Sequence, residues 1–225
     1  YIGNHRYEPG YISASSLGSC PLAAKKKQEG ATPKVPELLI ENNPELKTFL
    51  LGADLHAAVF QGFLLSEPDL EAEIEVFLKD PKRRLCGSAD AVITERGSRV
   101  PIEIKNRNIS KSYRLSDMIQ LMTYMRMLES DWGYLCLIHR RDSASEASNR
   151  VMSVYRLDKE IGIFSYQKNE YLKANWQMIL NEWYDRIDIH SQYLSEEKTA
   201  PPISLANPRE AWQCKSCPFW CHNGE

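Results

Sequence analysis

The sequence predicts a mixed α/β domain, a central sheet of about five strands flanked by helices, and three observations predict it. Between residues 72 and 105, three runs alternate apolar and polar side chains across two short polar turns. A helical period follows from Ser116, and a second long helical stripe carries Trp176, Ile179, Trp183 and Ile187. The chain of 225 residues is 43% hydrophobic, enough for one substantial core, and residues 1–225 read as a single domain.

In chain order, Leu46 to Leu65 has the length and composition of an amphipathic helix, with Phe49, Gly52, His56, Phe60 and Phe63 near one stripe. Gly52 lies one turn before His56, so another backbone can approach where the imidazole projects. Residues 72 to 78 set Ala72, Ile74, Val76 and Leu78 against Glu73, Glu75 and Phe77, a strand pattern. Lys79 to Arg83 reads as a turn, and Leu85 to Thr94 as a second strand containing Gly87-Ser88-Ala89-Asp90. Arg96 to Arg99 is another turn, and Val100 to Lys105 a third strand, completing an antiparallel meander. Ser116 caps a helix with Asp117 in its first turn, and Gln120 and Tyr124 share a face of it. Gly133 to His139 and Arg150 to Leu157 read as two further strands joined by the polar loop 141–149. A long helix is expected from Lys159 to Leu194, with a break near Lys173. Three prolines in 28–45 and three in 198–213 mark weakly structured terminal segments.

The residues most informative about chemistry are Glu103 and Lys105. Alternation on the strand turns Ile102 and Ile104 to one face and the carboxylate and ammonium to the other. A carboxylate can hold a divalent cation, and a neighbouring ammonium can polarise a water or stabilise a phosphate oxyanion. The plainer reading is a half-solvated sheet edge. The meander also brings Asp90 to the same face, inside the apolar run Ala89 to Ile93, where an unpaired carboxylate is costly. His56 reads equally as a core histidine, and Gln120 with Tyr124 as a helix–helix contact.

In order, these pieces are Gly52-x3-His56, Gly87-x2-Asp90, Glu103-x-Lys105 and Gln120-x3-Tyr124. That succession resembles the RecB-like branch of the PD-(D/E)XK nuclease superfamily, which includes CRISPR-associated RecB-like exonucleases and the nuclease domains of AddB-type helicases. The resemblance spans roughly Ser13 to Cys221 and implies a restriction-endonuclease-like core. It implies that His56, Asp90 and Glu103, with the carbonyl of Ile104, hold Mn2+ or Mg2+. It further implies that Lys105 is the catalytic lysine and that Gln120 and Tyr124 steady it and the scissile phosphate. Asp90 follows Ala89 where the family name has proline. An imidazole ligand inclines such a site toward Mn2+, because magnesium prefers oxygen shells. The implied activity is hydrolysis of DNA, single-stranded with a free end, by an exonuclease with endonuclease activity unassigned. The alternative is a catalytically silent DNA-binding or assembly subunit that keeps the fold.

Six cysteines add a separate signal. Cys86 and Cys136 fall in strands and read as small buried hydrophobes. Cys20 near the start and Cys214-x2-Cys217-x3-Cys221 at the end suit a four-cysteine site for zinc or an iron–sulfur cluster better than disulfides, given an intracellular composition. The same nuclease branch contains members with one N-terminal cysteine and a C-terminal trio around a [4Fe–4S] cluster, so the resemblance favours that group. The short last gap keeps Zn2+, or ligation by His222, in play. Such a centre would form a cap from residues 1–45 and 198–225. By the chain-entropy model for cross-links, tying residue 20 to residue 214 is worth on the order of 5 kcal/mol.

A net charge of −2 and a pI near 6.3 argue against a surface that grips nucleic acid everywhere. Local basic clusters at Lys25–Lys27, Lys82–Arg84, Arg107, Lys111, Arg114 and Arg140–Arg141 leave room for a track, with Tyr11, Tyr113 and Trp220 as stacking candidates. No run is long enough to cross a membrane, and an intracellular, cytoplasmic setting is expected. The resemblance adds recombination, helicase or CRISPR-adaptation proteins as partners.

Overall fold

The computed structural model describes residues 8–30, 71–108, 113–140 and 152–195. The expected helix at 46–65 with His56, the loop 141–149, and Cys214, Cys217 and Cys221 fall outside these described residues.

A two-stranded pairing opens the described fold. β1 (Ile12–Ser13) runs into a single 3-10 turn and then α1 (Pro21–Gln28). β2 (Ala72–Asp80), β3 (Leu85–Glu95) and β4 (Ser98–Asn108) form the expected antiparallel meander. Arg96 and Gly97 take left-handed φ values of 53° and 77° in the tight β3–β4 turn, which suits glycine and strains arginine mildly. α2 (Leu115–Leu128) crosses to β5 (Trp132–Arg140), which pairs parallel to β4, as a strand–helix–strand connection requires. β6 (Met152–Asp158), β7 (Gly162–Ser165) and β8 (Glu170–Tyr171) extend the sheet antiparallel, and α3 (Trp176–Leu194) follows. Among the described residues the sheet has eight strands, more than the five expected from the sequence.

The register fixes the two faces. Leu135 and Leu137 on β5, with Tyr155 and Leu157 on β6, lie under Met118, Ile119, Leu121, Met122 and Met125 of α2. α3 packs on the same layer through Ile179 and the fully buried Trp183, with Trp176 and Ile187 at the margin, the stripe expected from helical spacing. Trp183 Nε1 donates to Thr123 Oγ1 at 2.9 Å, so the indole enters the core without losing a hydrogen bond. Ala91, Ile93, Val100, Ile102, Ile104 and Ile138 form the core of the opposite face.

Two expectations are corrected. Residues 159–175 are not helical: they hold β7, β8 and the turns between them. Gly162 sits at φ 81°, a conformation no helix interior contains, and Asn175 caps the true helix start, accepting from Met178 N–H at 3.0 Å. α2 is capped at Arg114 rather than Ser116; Asp117 Oδ2 accepts from the Arg114 backbone N–H at 2.9 Å, closing the helix start two residues earlier than expected. The expected core cysteines are found as such, Cys86 buried and Cys136 half-buried. No described helix is long and apolar enough to cross a membrane.

Candidate active site

β3 and β4 part company where the charged residues stand. Their pairing runs from Glu95↔Ser98 to Ala91↔Ile102 and stops there. On the same edge of β3, β1 takes over only at Leu85 and Cys86, so residues 87–90 face a gap between β4 and β1. Across β3 on the other side, Glu75 of β2 lies between the pairs Ile74↔Ala91 and Val76↔Ala89, and it has a left-handed φ of 52°. The alternation of faces changes here: Ala89 and Val92, which it would separate, belong to one cluster with Tyr124. Asp90 sits at the change, and its Oδ2 accepts the Ile104 backbone N–H at 2.6 Å, replacing the lost ladder bond.

The partners of Glu103 and Lys105 complete a chain across the gap. Lys105 Nζ lies 2.5 Å from Glu103 Oε1 and donates to Gln120 Oε1 at 2.9 Å. Gln120 Nε2 donates to the Tyr124 hydroxyl at 3.0 Å, and that hydroxyl donates to the Ser88 carbonyl at 2.8 Å. One turn of α2 is therefore tied to both strands that diverge. Gly87 makes the last link geometrically feasible: a Cβ there would stand 3.0 Å from Tyr124 Cε1 and 2.9 Å from the Ala14 Cβ.

Electrostatics set the demand for a cation. Burial first, then the Asp90 charge, push the Glu103 carboxyl up to about 8 despite the adjacent ammonium. Burial pulls Lys105 down, but Glu103 and Asp90 outweigh it and hold it above the ordinary lysine value. Burial, reinforced by Glu103, raises Tyr124 far above its ordinary value, so its hydroxyl stays a neutral donor. Asp117, 3% exposed, adds its charge to this field, acting on both Glu103 and Lys105. Sequence reasoning assigned it only to the helix start; the signal that it belongs here is its spacing of three and seven residues from Gln120 and Tyr124 on one helix face.

The donor set suits a divalent metal. Glu103 Oε2 is buried with no hydrogen-bond partner, and it stands near a second carboxylate. Among the described residues no three His, Cys, Asp or Glu side chains converge as a ready cage, and the described candidates are Asp90 and Glu103. His56 lies outside the described residues. Ile104 donates its N–H to Asp90, which holds the peptide just before the one whose carbonyl was expected to bind metal. The structure thus gathers Asp90, Glu103, Ile104, Lys105, Gln120 and Tyr124 in one place. Cys20 is buried elsewhere, at the start of α1 and near Tyr193 of α3.

The raised Glu103 predicts a pH dependence. Its folded value near 8 exceeds its ordinary 4.5, so the stability it contributes is full below about 4.5 and lost as pH rises to 8. His190 works oppositely, held at about 4 by burial and Arg186, which confines its effect below about pH 6.5. Between pH 6.5 and 8, metal-free protein is expected to lose up to about 1.4 kcal/mol per pH unit. Thermal melts in EDTA would show this as a falling Tm; Glu103→Gln should flatten the slope, and Mn2+ should reverse it. A flat metal-free profile for the native chain contradicts the assignment.

No protein-family model matches the chain, and no curated protein matches it in sequence. Solved structures do match in fold. The protein SSO0001 superposes with a TM-score of 0.58 at 21% identity, over 98% of this chain and 89% of its own. The alkaline exonuclease LHK-Exo from Laribacter hongkongensis gives 0.52 at 12% identity, over 91% of this chain and 95% of that one. Its complex with dAMP gives 0.54 at 13% identity, with the same coverage. At such identities the likeness establishes the fold alone: a mixed sheet with flanking helices, consistent with the restriction-endonuclease-like class.

Proposed function

We propose that the chain is a divalent-metal-dependent deoxyribonuclease of the RecB-like PD-(D/E)XK type, acting as an exonuclease on single-stranded DNA. The observation that carries this is the orphaned Glu103 Oε2 beside Asp90 and the Lys105 ammonium, at the place where β3 and β4 diverge. A shared fold with an alkaline exonuclease, one of whose structures holds dAMP, supports it.

In this reading Asp90, Glu103, the Ile104 carbonyl and His56 hold Mn2+ or Mg2+, which supplies a Lewis acid and a more acidic water when bound. Lys105, fixed between Glu103 and Gln120, orients the attacking water and offsets charge on the phosphate in the transition state. Tyr124 and Gln120 keep the ammonium from rotating away. Asp90 holds the β4 backbone so that Glu103 and Lys105 keep their separation. Cys20 joins Cys214, Cys217 and Cys221 around a [4Fe–4S] cluster, with Zn2+ the rival. Anaerobically purified protein that is brown, with iron and sulfide and broad absorption near ~400 nm, supports the cluster, and colourless protein with stoichiometric zinc replaces it.

The function is tested by degradation of end-labelled single-stranded DNA with Mn2+, comparing the native chain with Asp90→Asn. The native chain should shorten the strand from an end, and the variant should lose on the order of 10²-fold or more in rate. Equal inertness of both proteins would remove the enzymatic reading.

A further inference from the structure

The sheet face that carries Glu103 and Lys105 continues onto the next two strands with polar side chains the mechanism above does not use. Lys105 pairs in register with Leu137, and Leu137 with Ser153, so residues 105, 137 and 153 share a face. His139 stands on that face too, one strand over from Lys105 and two residues nearer the carboxyl end of β5. With strands about 4.8 Å apart and a rise of about 3.3 Å per residue, its backbone lies roughly 8 Å from that of Lys105. That separation is of the order of one extended nucleotide. It is also the carboxyl end of the parallel pair β4–β5, where open α/β sheets take their ligands.

His139 Nε2 lies 2.7 Å from Ser153 Oγ, and Ser153 is 6% exposed. The other ring nitrogen, Nδ1, is buried and has no hydrogen-bond partner. When Ser153 donates to Nε2, Nδ1 carries a proton with no acceptor, a costly state for a buried donor. Tyr113 meets Tyr155 edge-on at 5.1 Å, and Tyr155 lies two residues from Ser153 on the same face of β6. A half-buried imidazole with a serine behind it thus lies one strand over from Lys105 on the same sheet face.

We propose that His139, backed by Ser153, binds a backbone phosphate of the nucleic-acid strand next to the scissile one. The inference rests on the nuclease reading and extends it to substrate positioning. In the tautomer where Ser153 donates to Nε2, or in the protonated ring, a phosphate oxygen supplies the acceptor that the Nδ1 proton lacks. The subsite is indifferent to base identity, because it reads only the backbone.

The test uses a fluorescein-labelled single-stranded 12-mer with Ca2+ in place of Mn2+, and anisotropy as readout. His139→Ala should weaken binding about 5- to 10-fold and Ser153→Ala about 3-fold, with KM in Mn2+ assays rising in proportion and kcat kept within about 2-fold. His139→Asn, whose amide nitrogen falls near Nδ1, should recover most of the affinity, which a purely structural role would not produce. Tyr171→Ala, an exposed change on β8, is the control and should bind as the native chain does. Native affinity and KM in His139→Ala overturn the subsite while native cleavage keeps the nuclease reading. A native chain that neither binds nor cleaves the 12-mer overturns both.

Discussion

Lys105→Met is expected to abolish DNA cleavage while leaving the fold recognisable, and its second effect is as diagnostic as the first. The ammonium contacts Glu103 Oε1 at 2.5 Å and Gln120 Oε1 at 2.9 Å. Methionine retains the length and apolar stem but removes the charge that, in the proposed mechanism, offsets the developing phosphate charge. A preorganised cation of this kind is worth about 10³-fold or more in rate. Without the cation, Glu103 remains a buried carboxylate beside the half-buried Asp90, and removing one partner of a buried pair costs about 3–5 kcal/mol. Glu103 then shifts further upward, and metal-free Lys105→Met should lose stability most steeply above neutral pH, in line with the direction already set by burial and Asp90. Divalent metal should restore most of the lost Tm without restoring activity. Single-turnover cleavage and melts with and without Mn2+ separate the effects. Cleavage within tenfold of the native rate would remove Lys105 from the chemistry.

The second large effect is expected from Gly87→Ala, a change of one methyl group outside the ligand set. The added Cβ meets Ala14 Cβ at 2.9 Å, Tyr124 Cε1 at 3.0 Å and the Tyr124 hydroxyl at 3.3 Å. Neither side yields cheaply. Ala14 belongs to the 3-10 turn after β1, and Tyr124 is fully buried in α2. Overpacking of this kind costs about 1–3 kcal/mol. The functional loss should exceed what that destabilisation explains. A displaced ring breaks the bond to Ser88 and frees Gln120, whose other end holds Lys105. A fall in kcat of at least about tenfold with KM held is expected, at a temperature where the variant is folded. Ala14→Gly in the same chain relieves one contact and should recover part of the Tm. Tyr124→Phe gives the comparison, because it cuts the same chain without the clash. A Gly87→Ala enzyme with native kcat would show that Tyr124 does not position Lys105.

The Glu103-x-Lys105 pair, the Asp90 strand and the Gln120-x3-Tyr124 helix were legible because each is a short-range pattern. Period two puts Glu103 and Lys105 on one face of β4, and period 3.6 puts Gln120 above Tyr124. The buried stripe of α3 was legible for the same reason. Residues 159–175 were not, because Ile161, Ile163, Phe164 and Tyr166 fit a helical stripe as readily as short strands, and β7 exists by pairing with β6. Asp117 looked like an ordinary first-turn acid. Its burial beside Lys105 depends on α2 crossing the end of β4, which no local spacing encodes.

What the chain's linear pattern determined was the set of side chains with chemistry to offer and the secondary structure that carries most of them. Local periodicity is a property of near neighbours, so it needs no tertiary contact to be read. What only the folded arrangement decided was their convergence. The end of β3–β4 pairing at Ala91↔Ile102, the Asp90 side chain taking the Ile104 N–H, and the Tyr124 ring resting on Gly87 join residues 11 to 37 positions apart. Those contacts arise from sheet twist and close packing, which act between elements and leave no trace in the spacing within any one of them.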